Sequence, residues 1–176
     1  AVSQIVNKGN TTTAVTSSAN PSNFAQSVTF SATVSATAPA AGTPSGTVTF
    51  KDGATTVCGP VALVAAAATC ATSTLTVGSH SITVDYAGDT NYNTSTSPAL
   101  NQVINKTDTT NALAVAPVSP TVFGQSVALT STVAAVAPGG GVPTGSVTFL
   151  DGATSIGSGA LNGAGVATAS TTTLAV

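Results

Sequence analysis

Charge is the scarcest thing in this sequence. Of 176 residues, three are Lys and five are Asp, with no Arg and no Glu. The charged fraction is 5%, against roughly a quarter in an ordinary soluble protein. A nucleic-acid partner needs a basic footprint, and three lysines at a net charge of −2 do not make one. The same shortage argues against a polybasic membrane patch. No apolar run approaches the ~20 residues of a membrane-crossing helix. The opening residues, AVSQIVNKGN, lack a signal-peptide plan, so the expectation is a processed chain or a window from a longer one. Trp is absent and aromatics make up 4%. The cores must therefore be built from Val, Ile, Leu and Ala, with five Phe and two Tyr. Long amphipathic helices are missing as well. Ala65–Ala68 is too short a run to hold one.

What is present is a repeated β-pattern. Gly42–Thr55, GTPSGTVTFKDGAT, returns 99 residues later at Gly141–Thr154 as GVPTGSVTFLDGAT. Pro44 and Gly46 make a bend, and Asp52-Gly53 makes a turn. Between them Val48 and Phe50 face one way, while Thr47, Thr49 and Lys51 face the other. That alternation is a strand with one face on a core. Its recurrence points to an array of β-domains.

The rest of the chain keeps the same frame. Thr11–Ser17 pairs in sequence with Thr109–Val115, and the strand Ser27–Ala36 with its second copy, where Val127, Leu129, Ser131 and Val133 alternate. Ser131, in place of Ala32, is a polar lapse on the inner face. After the Asp52-Gly53 turn the pattern predicts two short strands, near Thr55–Cys58 and Val61–Leu63. An alanine-rich turn and a strand over Thr69–Val77 follow. A one-residue length change separates the copies here, since Leu63 to Leu75 is 12 positions and Leu161 to Leu174 is 13. His80–Tyr86 and Pro98–Ile104 close the copy. The expectation is all-β: tandem immunoglobulin-like sandwiches of about seven strands each, with the second copy incomplete. Residues 1–6 match Ala99–Ile104 and read as the last strand of a preceding repeat. Residues 7–105 are one complete repeat. Residues 106–176 are a second repeat lacking its last two strands, with Val176 matching Val77. Those missing strands point to a window cut from a longer repeating polypeptide, or to strands supplied by a neighbouring chain.

Few residues carry candidate chemistry. Asp52 and Asp151 sit in Asp-Gly turns, where geometry selects Asp. His80 is the single histidine, and a triad needs a His, a nucleophile and an acid held together. No enzyme is expected. Asp89-Thr90-Asn91-Tyr92-Asn93 reads D-x-N-x-N, the opening of a calcium loop, and Asp85 lies four residues earlier. Position six is Thr94 where such a loop needs Gly, and position twelve is Leu100 where it needs Glu. The competing reading of Asp85, Asp89, Asn91 and Asn93 is an Asx-stabilised loop with Tyr92 packed on the sandwich end. No cofactor besides calcium is suggested. Cys58 and Cys70 flank a hairpin tip and are bridgeable if the register permits; otherwise they are two free thiols in an apolar cluster. Tyr86 reads as a hydroxyl-bonded corner tyrosine or as a plain core aromatic.

Three motifs in fixed order carry a family resemblance: P-x-x-F-[AG]-Q-S-V, G-x-P-[ST]-G-[TS]-V-T-F-x-D-G, and SHSITVDYAGDTNYNTSTS. Together they resemble the bacterial immunoglobulin-like repeat of the group-3 kind over essentially the whole chain. The resemblance implies large bacterial proteins, secreted or attached to the cell surface, in which such modules serve as stalks, adhesin segments or accessory domains. It also implies a cysteine pair where Cys58 and Cys70 stand. The second copy has Gly157 and Ala169 there, so the bridge is not essential to the fold. The expected function is structural: a stalk or self-assembling filament whose partners are neighbouring repeats and copies of itself. Short linkers such as Asn105-Lys106-Thr107 are expected to limit bending. The alternative is an adhesin segment binding host or matrix glycan or protein through loops such as Ala87–Ser95. No nucleic-acid binding and no membrane insertion are expected.

Overall fold

The computed structural model describes residues 1–174. The chain divides into two compact units, Ala1–Lys106 and a second beginning at Thr107. All regular structure among the described residues is β. In the first unit the strands are β1 (Thr11–Ser17), β2 (Ser22–Asn23), β3 (Val28–Ala36), β4 (Thr47–Asp52), β5 (Thr55–Ala62), β6 (Ala67–Thr72), β7 (Gly78–Tyr86), β8 (Ser95–Thr96) and β9 (Leu100–Asn105).

Two sheets result. One has the order β1-β3-β6; the other has β2-β9-β7-β4-β5, with β8 on β7. Alternate residues of each strand point inward, as the period of two requires. Val28, Phe30, Ala32 and Val34 of β3 thus meet Val48 and Phe50 of β4 and Ile82, Val84 and Tyr86 of β7 in one buried cluster. Burying each of the large side chains contributes about 1.5–3 kcal/mol. The full-length strands number seven, the all-β sandwich expected from the repeat pattern.

Three local expectations are corrected. The two short strands expected between Thr55 and Leu63 are one strand, β5. Between the pairs Phe50↔Cys58 and Val48↔Val61, the two residues Gly59 and Pro60 stand opposite Thr49 alone. That is a β-bulge, and an edge strand tolerates a proline that donates no hydrogen bond. The strand expected over Thr69–Val77 begins and ends earlier, as β6. Ala65 and Ala66 both take positive φ, 50° and 62°, and close a two-residue turn in which Val64 and Ala67 exchange both backbone hydrogen bonds. Pairing therefore starts at Ala67. It stops where the Thr72 hydroxyl accepts the Thr74 N–H and turns the chain. Residues 1–6, read as a strand, form none here. Val2 and Val6 are 95% and 88% exposed, because β9 already fills the matching place in this unit's sheet.

The second unit has β10 (Thr109–Ala116), β11 (Val127–Ala135), β12 (Ser146–Asp151), β13 (Thr154–Ala160) and β14 (Val166–Thr171). They form the sheets β10-β11-β14 and β12-β13, counterparts of β1-β3-β6 and β4-β5. Val127, Leu129 and Phe149 make its core. The polar lapse is resolved locally: buried Ser131 donates to Asn111 Oδ1 at 2.6 Å. Val176, matched in sequence with Val77, lies outside the described residues.

Candidate functional site

The residues read as a calcium loop lie between β7 and β8, at one end of the first unit. Asp89 is the centre of that loop. Its Oδ1 accepts the N–H groups of Asn91 and Tyr92 at 2.7 and 2.8 Å. Its Oδ2 accepts the N–H and the hydroxyl of Ser45 at 2.9 and 2.6 Å. Ser45, followed by the N–H groups of Asn91 and Tyr92, holds the carboxyl well below the usual carboxylate range. This is an Asx turn that also ties the β3–β4 loop to the β7–β8 loop.

Asp85 is engaged elsewhere. It pairs with Lys51 Nζ at 2.7 Å and accepts from Thr96 Oγ1 at 2.8 Å, which lowers its pKa, Lys51 contributing most. Asn93 Nδ2 donates to Asn10 Oδ1 at 3.0 Å. The side chains of Asp85, Asp89 and Asn93 thus serve three separate sets of partners. A cation here would have to displace donors that Asp89 already holds. Among the described residues no three His, Cys, Asp or Glu side chains gather as a metal set.

Tyr92 seals the same end. It is 7% exposed and its hydroxyl donates to the Ala41 carbonyl at 2.6 Å. The hydroxyl-bonded tyrosine of this sandwich is therefore Tyr92, and Tyr86 is a core aromatic. The Tyr86 hydroxyl is buried without a hydrogen-bond partner. Burial and the nearby Asp89 charge, which it approaches without bonding geometry, push its pKa up to about 12.

His80 stands at the other end of β7. Nδ1 lies 2.6 Å from Asp52 Oδ2 and Nε2 lies 2.8 Å from the Thr76 carbonyl. Burial alone would lower its pKa, but the Thr76 carbonyl and the Asp52 carboxylate outweigh it and the net shift is upward. Asp52 Oδ1 also accepts the Ser81 N–H at 3.1 Å. The Asp-Gly turn is thus fastened to β7, and both imidazole nitrogens are occupied by structural partners.

Cys58 and Cys70 are joined in a disulfide with Cα atoms 6.0 Å apart. Their cross-strand neighbours are Phe50 and Phe30, so the bridge lies beside the core and links the two sheets through β5 and β6.

Sequence reading missed Gln102. It is fully buried in β9, accepts from Ser17 Oγ at 2.6 Å and donates to the Ala19 carbonyl at 2.9 Å. Asn20 bonds β9 as a strand would, through Asn101 O and Val103 N. The signal was available: a Gln at an inward position of an alternating strand must find partners.

The group-3 bacterial Ig-like domain model matches residues 15–105 and 113–176. No curated protein matches the chain. A structure of fibronectin(III)-like modules of CbhA from Clostridium thermocellum is 20% identical, over 91% of this chain and 79% of that one, with a TM-score of 0.39. The family model covers most of the chain in two segments, and the chain belongs to the bacterial Ig-like domain (group 3) family.

Proposed function

We propose that this chain is a non-catalytic structural stretch of a secreted or surface-attached bacterial multi-repeat protein, part of a stalk or a self-assembling extracellular fibre. The supporting observation is how the ionisable side chains of the first unit are used. Asp89 binds one loop to another, Asp52 and His80 fasten a turn to β7, and Lys51 and Asp85 pair across β4 and β7. Each is spent on holding shape. The disulfide fits an oxidising exterior. Partners are neighbouring repeats and further copies of the chain, without nucleic acid and without membrane insertion.

Two measurements test this. Single-molecule stretching should show the first unit resisting as one cooperative block. Reduction should lengthen its unfolded form by about 40 Å, the reach of the residues between the cysteines. Unfolding of the intact unit at negligible force would overturn the stalk. Electron microscopy at high concentration should show fibres, and monodisperse monomers there would overturn self-assembly.

A further inference from the structure

An open cleft of about 710 Å³ lies on the first unit at the end sealed by Tyr92. Three segments form it: the chain leading into β1, the loop after β3, and the loop after β7. Backbone hydrogen bonds fix all three to one another. Gly9 N donates to Asn91 O at 2.8 Å, Asn93 N donates to Gly9 O at 2.9 Å, and Thr37 N donates to Asn10 O at 2.9 Å. The cleft is thus built before any ligand arrives, which spares the cost of ordering it.

Its lining has one chemical character. Pro39 and Ala40 supply apolar surface, over the buried ring of Tyr92. Among the described residues the side-chain amides of Asn7 and Asn91 have no intramolecular partner, and Asn10 has only its Oδ1 engaged. Lys8 is the one charged side chain of the lining, and its ammonium donates to the Asp89 carbonyl at 2.6 Å. Amides that both donate and accept, beside an apolar wall and a single ammonium that falls far short of the basic cluster a polyanion needs, suit a ligand that is dense in hydroxyls, uncharged, and apolar on its ring faces. We propose that this cleft is a binding site for a neutral saccharide chain of a few residues. The proposal goes beyond the structural role and does not depend on it, since a stalk with or without this site remains a stalk.

The test is calorimetric titration of the full chain with cellohexaose, xylohexaose and N-acetylchitohexaose, with a heparin hexasaccharide as the anionic control. At least one neutral probe should bind and the control should not. Asn7→Ala and Asn91→Ala should each weaken that binding about tenfold, the usual worth of one lost hydrogen bond pair, with thermal melting unchanged. Absence of binding to all three neutral probes overturns the proposal. So does preference for the anionic probe, or neutral binding that survives both substitutions undiminished.

Discussion

Gly9 and Ala40 touch where the chain enters the first unit: a Cβ on Gly9 would fall 2.5 Å from the Cβ of Ala40. At the matching place in the second unit the sizes are exchanged. Thr107 stands where Gly9 would, Gly139 stands where Ala40 would, and a Cβ on Gly139 would overlap the Thr107 side chain. Each unit therefore packs its leading segment against the loop after its long strand with room for one side chain of the pair. Gly9→Thr should destabilise the first unit by about 1–3 kcal/mol through overpacking. Adding Ala40→Gly should restore a large part of the loss. Urea unfolding of the two single variants and the double variant measures the coupling.

The Ala65-Ala66 turn holds two alanines in the left-handed region. That conformation costs a residue with a Cβ roughly 1–2 kcal/mol, and it is the one in which Asn-Gly is favoured. The double substitution Ala65→Asn, Ala66→Gly should stabilise the first unit by about 1–2 kcal/mol. Its melting temperature should rise by about 4–8 °C per kcal/mol for a unit of this size.

Tyr86 and Tyr92 should respond oppositely to loss of the hydroxyl. Tyr86→Phe removes a buried group that has no partner, so stability should hold or rise. Tyr92→Phe deletes the bond to the Ala41 carbonyl and should cost about 1 kcal/mol. Denaturation midpoints of the two variants decide it.

The His80–Asp52 contact sets a pH dependence. The folded-state pKa of His80 is raised, so its contribution is fully present below the unfolded value, about 6.5. That contribution is lost as pH rises through the folded value. Asp89 and Asp85 run the other way. Their folded pKa values are depressed, so their contribution is present above the ordinary carboxylate range and is lost in acid. Stability of the first unit should therefore decline in strong acid and step down slightly as pH rises above about 6.5. His80→Gln should abolish that step and leave the acid limb intact, as followed by circular dichroism across pH.

Removing the disulfide with Cys58→Ser, Cys70→Ser should cost the first unit about 2–3 kcal/mol for a loop this short. The second unit has the geometry for a copy of it. A Cβ on Gly157 would stand 2.9 Å from that of Ala169, closer than the usual ~3.8 Å across a bridge. Gly157→Cys with Ala169→Cys should oxidise spontaneously, read by thiol titration. The gain should be smaller than the native bridge gives, because the strands must part slightly.

Much of the architecture could be read in the residues because alternation is a local signal with a single period. Val28 to Val34 and Ile82 to Tyr86 announce their own buried face. The readings that differed are those in which distant partners decide. Nothing around Gln102 reveals that Ser17 and Ala19 await it. Nothing in D-x-N-x-N says that Ser45, 44 positions away, fills the other carboxylate oxygen. The start of β6 depended on a turn that two alanines make against their own preference, where composition favours glycine or asparagine.

The bulge at Gly59-Pro60 reaches beyond its own hairpin. β5 is the outermost strand of its sheet, and there the row of outward amides is broken by a residue that has none. An incoming strand cannot zip past that point. β13, which lies at the edge of its own two-stranded sheet in the second unit, pairs regularly through the corresponding stretch and has no such interruption. With so few charges to repel an intruder, accretion of one chain on another should begin at the proline-free border.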